Sequence, residues 1–198
     1  MKYFALPTLL FIGLLTAVPN AQSQNSSKIE VKKSSEREQQ QQWSDSMDIQ
    51  NKTHIQTRQQ LHGTKLAELT LEDIHGNKYT LDNLKDQVVV INFWFIHCKP
   101  CIEEIPDLNN LKSEFQKENV KFIAVALDGK VALETFLEKT KFDFIIIPNG
   151  NTFTNSLGIP HYPFHVIIDK TGKLHYISDA LSLNMLKRLK RKIKKFIK

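Results

Sequence analysis

Residues 88–106 read VVVINFWFIHCKPCIEEIP. The opening of this stretch, Val88-Val89-Val90-Ile91-Asn92-Phe93-Trp94-Phe95, is a continuous apolar, β-branched and aromatic run, the pattern of a strand buried on both faces of a sheet. It reads as the central strand of the fold. Two cysteines separated by two residues follow, Cys98 and Cys101, and then Ile102, Ile105, Leu108, Leu111 and Phe115 recur at helical spacing. That periodicity predicts an amphipathic helix lying over the strand, with a kink at Pro106.

Working outward from this stretch, strand and helix signals alternate. Residues 65–71 alternate in polarity, His75-Gly76-Asn77-Lys78 supplies turn chemistry, and 78–81 resume a strand-like pattern, so a β-hairpin opens the domain. On the C-terminal side, 120–127 read as strand, 131–140 as helix and 142–147 as strand, which argues for parallel βαβ units. A short helix near 151–157 precedes a strand at 164–168, a turn at 169–172 and a last strand at 173–178. The expected class is α/β, with a mixed central sheet flanked by helices and closed by a final helix over about 181–197.

The chain has 198 residues, 41% of them hydrophobic, enough for one well-packed domain over 63–198. The N-terminus, MKYFALPTLLFIGLLTAVPNAQSQ, has a basic start, an apolar run and small residues, the arrangement of a secretory signal peptide over 1–23. An uncleaved membrane tether is the alternative, although the run falls short of the roughly 20 residues that span a bilayer. Residues 24–62 are rich in Gln, Ser and charge without a sustained period, and are expected to be a flexible polar linker or a frayed helix. Export to the periplasm follows from this reading of the N-terminus.

The formal net charge is +6, yet positions 187–198 hold eight Lys or Arg and no acid. Without those eight the rest of the chain is at −2, so the basic character belongs to the last helix alone. That helix is either an ordinary solvated face or a surface for contact with an anionic membrane. Export, and the absence of aromatics interleaved on a basic surface, argue against nucleic-acid binding.

A two-residue spacing closes too small a loop for a disulfide to constrain the unfolded chain strongly, so stabilisation is a poor reason for the only two cysteines present. Placed where a buried strand ends and a helix begins, Cys98 meets unpaired backbone N–H groups and the positive end of the helix dipole. That environment favours thiolate, the form that attacks disulfides, and makes Cys98 the candidate nucleophile. Cys101, one turn on and directed inward, would resolve the mixed disulfide. Lys99 adds positive charge beside Cys98, and Pro100 stiffens the loop between the sulfurs.

The segment NFWFIHCKPCIEEIP, Asn92 to Pro106, resembles the active-site region of exported thioredoxin-like proteins of the TlpA and ResA kind. The resemblance extends from about His62 to the C-terminus. It implies a thioredoxin-like fold with an N-terminal β-hairpin extension, and a thiol:disulfide oxidoreductase without a cofactor or metal. Glu104 matches the acidic residue that the family places near the buried sulfur, and is the candidate for handling the Cys101 proton; a plain surface glutamate is the alternative. The stretch LGIPHYPFHVIID, 157–169, resembles the segment holding the family's cis-proline loop, which assigns that role to Pro163 and would present the Tyr162 backbone to an extended substrate. Trp94, His97, Lys99, Pro100, Tyr162 and Pro163 are then the residues expected to meet the client.

Two departures stand out. His97 lies where a Trp is common, and Phe164-His165 replace small hydroxyl residues after the proline. The implied partners are client proteins with cysteine pairs or disulfides, apocytochromes of cytochrome c maturation among them, and a membrane thiol carrier that recharges the pair. A peroxiredoxin reading fails, because the positions for its Thr or Ser and its Pro hold Phe95 and Ile91. A copper-binding protein of the same fold is the other reading, with Cys98, Cys101 and one of His97, His161 or His165 as soft ligands.

Overall fold

The computed structural model describes residues 21–177 and 184–198. A five-stranded mixed sheet carries the fold, in the spatial order β5-β4-β3-β6-β7. Its strands are β3 (Val88–Trp94), β4 (Val120–Ala126), β5 (Ile145–Ile147), β6 (Phe164–Ile168) and β7 (Leu174–Ile177). A separate hairpin, β1 (Thr70–Glu72) with β2 (Lys78–Thr80), precedes them. β3 is central, pairing in parallel with β4 and antiparallel with β6, and all seven of its residues are buried.

Two apolar layers cover the sheet, one on each face. On one face α2 (Lys99–Glu114) and α5 (Met185–Ile197) pack over Val88, Val90 and Trp94 of β3, with α5 turning Met185, Leu189 and Ile193 inward. The other face joins Val89, Ile91 and Phe93 to Phe164, Val166 and Ile168 of β6 and to the hairpin residue Leu71. α2 runs through Pro106 as one helix. Each large apolar side chain buried this way contributes about 1.5–3 kcal/mol.

β5 falls well short of its sequence pattern. The expected strand 142–147 begins only at Ile145, because Phe142 and Phe144 stack on one another (ring centroids 4.9 Å apart) and on Trp94 and Phe122 instead of entering a ladder. The Asn109 amide accepts the Asp143 N–H at 2.8 Å and completes this detour. α3 spans Lys130–Leu137 and α4 spans Asn151–Ser156.

The chain divides into two compact units, the first ending at Met47 and the second running from Asp48 to Lys198. Where the sequence suggests a flexible linker or a frayed helix, α1 extends over Ala21–Leu61. Its last turns belong to the second unit, where Arg58 Nη1 donates to the Gly158 carbonyl at 3.1 Å. The proposed signal peptide lies almost wholly outside the described residues. No described helix is long and apolar enough to cross a membrane.

The hairpin turn is organised by Asp73, a buried carboxylate. Its Oδ1 accepts the His75 and Asn77 N–H groups at 2.9 Å, and its Oδ2 accepts Asn77 Nδ2 at 2.9 Å and the Tyr79 hydroxyl at 3.0 Å. Burial alone would push this carboxyl up, but the four donors outweigh it and hold the group below its ordinary value. A depressed carboxylate adds stability that is present above its unfolded value and fades as pH falls through the folded one. Asp73→Asn, which turns two accepted bonds into clashing donors, is expected to cost about 1–3 kcal/mol at neutral pH. Urea unfolding from pH 7 down to 3 checks it: the difference from wild type should shrink on the acid side, and a constant difference would contradict this reading.

Candidate active site

The site forms where β3 runs out. Trp94 ends the strand, the loop 95–97 follows, and Cys98 is the N-cap of α2, so its place at a helix N-terminus follows from the strand-to-helix switch. Cys98 and Cys101 are joined by a disulfide with Cα atoms 5.2 Å apart. Both cysteines are buried, Cys101 at 2% exposure and Cys98 at 5%. Lys99 and Pro100, between them, are exposed in the first helical turn, with Lys99 Nζ 3.8 Å from Glu103.

Three further hydrogen bonds fix the loop that leads into the motif. The Cys98 N–H donates to the Phe95 carbonyl at 3.0 Å, and the Leu127 N–H donates to the Trp94 carbonyl at 3.2 Å. The Ile96 N–H donates to Asp128 Oδ2 at 2.8 Å. Nothing in the local sequence points to Asp128, since its role depends on the parallel register that brings the end of β4 beside the end of β3.

The Tyr162-Pro163 peptide bond is cis. Phe95 and Tyr162 meet edge to face with centroids 5.5 Å apart, which brings the loop before β6 against the loop before Cys98. Burial pushes the Tyr162 phenol up, partly offset by its hydrogen bond with Thr154. His97 is exposed and borders a shallow cavity of ≈ 940 Å³ lined by Ile96, Val131, Ala132 and Phe136. Trp94, expected at the client-facing rim, has no exposed surface; it packs on Phe136 and Phe142 beneath the site. Its length and aromatic area are used in the core, which leaves nothing to offer a client.

Glu104 faces inward rather than sitting on the surface. Its side chain is 11% exposed, accepts Asn92 Nδ2 at 2.9 Å, and lies 3.3 Å from His165 Nε2. Three residues after Cys101, it shares the sheet-facing side of α2 with that cysteine. The copper reading finds no ligand set: among the described residues no three His, Cys, Asp or Glu side chains are grouped to hold a metal ion.

A disulfide at a helix N-terminus, at the end of the central strand of this sheet and beside a cis-proline loop, defines a thioredoxin-like thiol:disulfide oxidoreductase. The chain belongs to the AhpC/TSA family, whose profile matches residues 62–177. It is 32% identical over 117 residues to the thiol-disulfide oxidoreductase ResA of Geobacillus thermodenitrificans, covering 58% of this chain and 67% of that protein. With the ResA of Bacillus anthracis it is 31% identical over 114 residues, 57% of this chain and 66% of the relative.

Solved structures share the fold. One described as the thiol:disulfide interchange protein DsbE of Chlorobium tepidum has a TM-score of 0.62 at 20% identity, over 69% of this chain and 98% of that one. The thioredoxin domain of a thiol-disulfide oxidoreductase from Bacteroides vulgatus has a TM-score of 0.58 at 21% identity, over 69% and 98%. An enzyme of this class acts on proteins with cysteines.

Because Asp128 holds the loop before Cys98, Asp128→Ala is expected to slow thiol–disulfide exchange about ten-fold through misplacement of Cys98. Asp128→Asn keeps an acceptor and should recover most of the rate. Exchange kinetics with a disulfide-bonded protein check this, and an unchanged rate in the Ala variant would remove Asp128 from the site.

Proposed function

We propose that the chain is an exported reductant that transfers electrons from its Cys98–Cys101 dithiol to disulfides of client proteins. The observation carrying this is the unequal placement of the two sulfurs: Cys98 caps α2, whereas Cys101 lies one turn inside it and is more deeply buried. A helix N-terminus favours the thiolate at Cys98. That thiolate attacks a client disulfide, forming a Cys98–client bond and releasing one client thiolate, which takes up a proton.

Cys101 then gives its proton to Glu104 and attacks Cys98 Sγ. The second client thiolate leaves, the client has gained two electrons, and the Cys98–Cys101 disulfide of the structure is restored. A membrane dithiol carrier would return the pair to the reduced state. His97, Lys99, Pro100, Tyr162 and Pro163 would form the client-facing rim around the sulfurs; exposure of the first three supports this. Apocytochromes are the client class suggested by the ResA relatives.

The localisation reading rests on residues 1–23, with export to the periplasm and either cleavage or retention as a tether; residues 63–198 would be the catalytic domain. α5 supports contact with an anionic membrane surface, because its apolar side is spent on the core while Lys187, Arg191, Lys194 and Lys195 remain exposed.

One experiment addresses this set. Cys101→Ala, expressed in cells as the full chain, is expected to accumulate mixed disulfides through Cys98 with exported Cys-pair proteins and with a membrane thiol carrier. The complexes should appear in a membrane fraction released by salt. Trapping that requires Cys101 and not Cys98 would reverse the order of attack. Recovery of cytosolic partners alone would contradict export.

A further inference from the structure

His165 has no exposed surface, yet it sits in the core layer that holds the disulfide. The antiparallel register of β3 with β6 sets it opposite Asn92, and Glu104 reaches both from α2. Asn92 Nδ2 fixes one carboxylate oxygen at 2.9 Å, and His165 Nε2 stands 3.3 Å from each of the two. The other ring nitrogen, Nδ1, is buried without a hydrogen-bond partner. Leaving a polar atom unpaired in a core costs about 1–3 kcal/mol, and a buried charge pair is seldom more stabilising than apolar packing of the same volume. Stability is therefore a weak reason for an imidazole here.

We propose that His165 is the resting seat of the proton that Cys101 sheds, with Glu104 as the relay between them. The inference deepens the reading above, on which Cys101 resolves the mixed disulfide and Glu104 takes its proton. In the reduced enzyme Cys101 is a thiol, Glu104 a carboxylate and His165 neutral with Nε2 unprotonated. As Cys101 S–H loses its proton to a Glu104 oxygen, that carboxyl passes a proton to His165 Nε2. Cys101 attacks Cys98 Sγ, the client thiolate departs, and the oxidised enzyme holds His165 as a cation beside ionised Glu104. Reduction by the dithiol carrier runs the transfer backwards and returns the proton to Cys101. The electron pair thus leaves with the client while the proton stays in the buried layer, and no water need enter it.

The groups able to disturb this pair are few. β3 contributes neutral Asn92, β7 sets Ile177 opposite His165, and α5 turns Met185, Leu189 and Ile193 into the layer. His175, further along β7, is engaged with Asp169 at 2.7 Å. Among the described residues, Glu104 is the charged partner of His165. His165 acts through Glu104, which makes it a positioning and proton-storing residue.

The test uses the full chain and rapid kinetics of the two exchange steps with a disulfide-bonded protein. His165→Gln keeps a polar amide of similar reach beside Glu104 but takes no proton. It is expected to leave the attack by Cys98 unchanged and to slow the resolving step about ten-fold, with a flattened pH profile. Glu104→Gln should slow the same step, and the double variant should be no slower than Glu104→Gln, since the two act in series.

Wild-type resolution in His165→Gln at every pH, or multiplicative slowing in the double variant, would overturn the inference. Wild-type resolution in Glu104→Gln would instead overturn the Glu104 reading beneath it. A measurement that needs no variant stands beside these: nitrogen NMR of the His165 ring in the wild type, oxidised and reduced at one pH. A cation in the oxidised form and a neutral ring in the reduced form are expected. The same protonation state in both contradicts the proposal.

Discussion

The structure depends on the burial of β3 on both faces and on where that burial stops. Seven consecutive residues, Val88–Trp94, need apolar cover above and below, and the two layers of the protein form to supply it. At Trp94 the strand has crossed the sheet and the chain must leave it, so the next helix begins with Cys98 at its N-cap. Register does the rest. The parallel ladder ends with Trp94 opposite Ala126, which brings Asp128 beside Ile96, and the antiparallel ladder starts with Phe93 opposite Phe164, which brings Pro163 to the same end. Three segments far apart in sequence therefore converge on the disulfide without any one of them specifying it.

Within this apolar framework, one layer is polar. Asn92, Glu104 and His165 occupy positions where the neighbouring layers hold Val90, Trp94 and Ile167, and each comes from a different element. Such a cluster is costly to bury and is satisfied only in part, since His165 Nδ1 lacks a partner. Packing does not account for that cost; the proton transfer proposed for this layer beside Cys101 would.

Much of the architecture is legible in the sequence because the strands are strongly apolar: β6 occupies the very run Phe164–Ile168, and the hairpin lies on either side of the His75–Gly76 turn. The shortfalls have physical causes. A run containing Phe142 and Phe144 looks like strand, but aromatic side chains gain as much by stacking, and β5 shrinks to Ile145–Ile147. Trp94 looks like a client contact from its nearness to the motif, whereas strand parity directs it into the core. His165 stands out in the sequence as an unusual residue after the proline, yet its partner is not legible there, because the contact with Glu104 is created by the packing of α2 over β6, 61 positions apart. Asp128 gives no local signal either, because its place comes from strand register.

The central claim, that the Cys98–Cys101 bridge is a working redox centre and not a structural link, is tested most directly by its reduction potential. Equilibration of the purified chain with glutathione or thioredoxin standards is expected to place the pair near the reducing thioredoxin-like range, about −270 mV. A value well below about −300 mV, where structural disulfides resist reduction, would contradict the account.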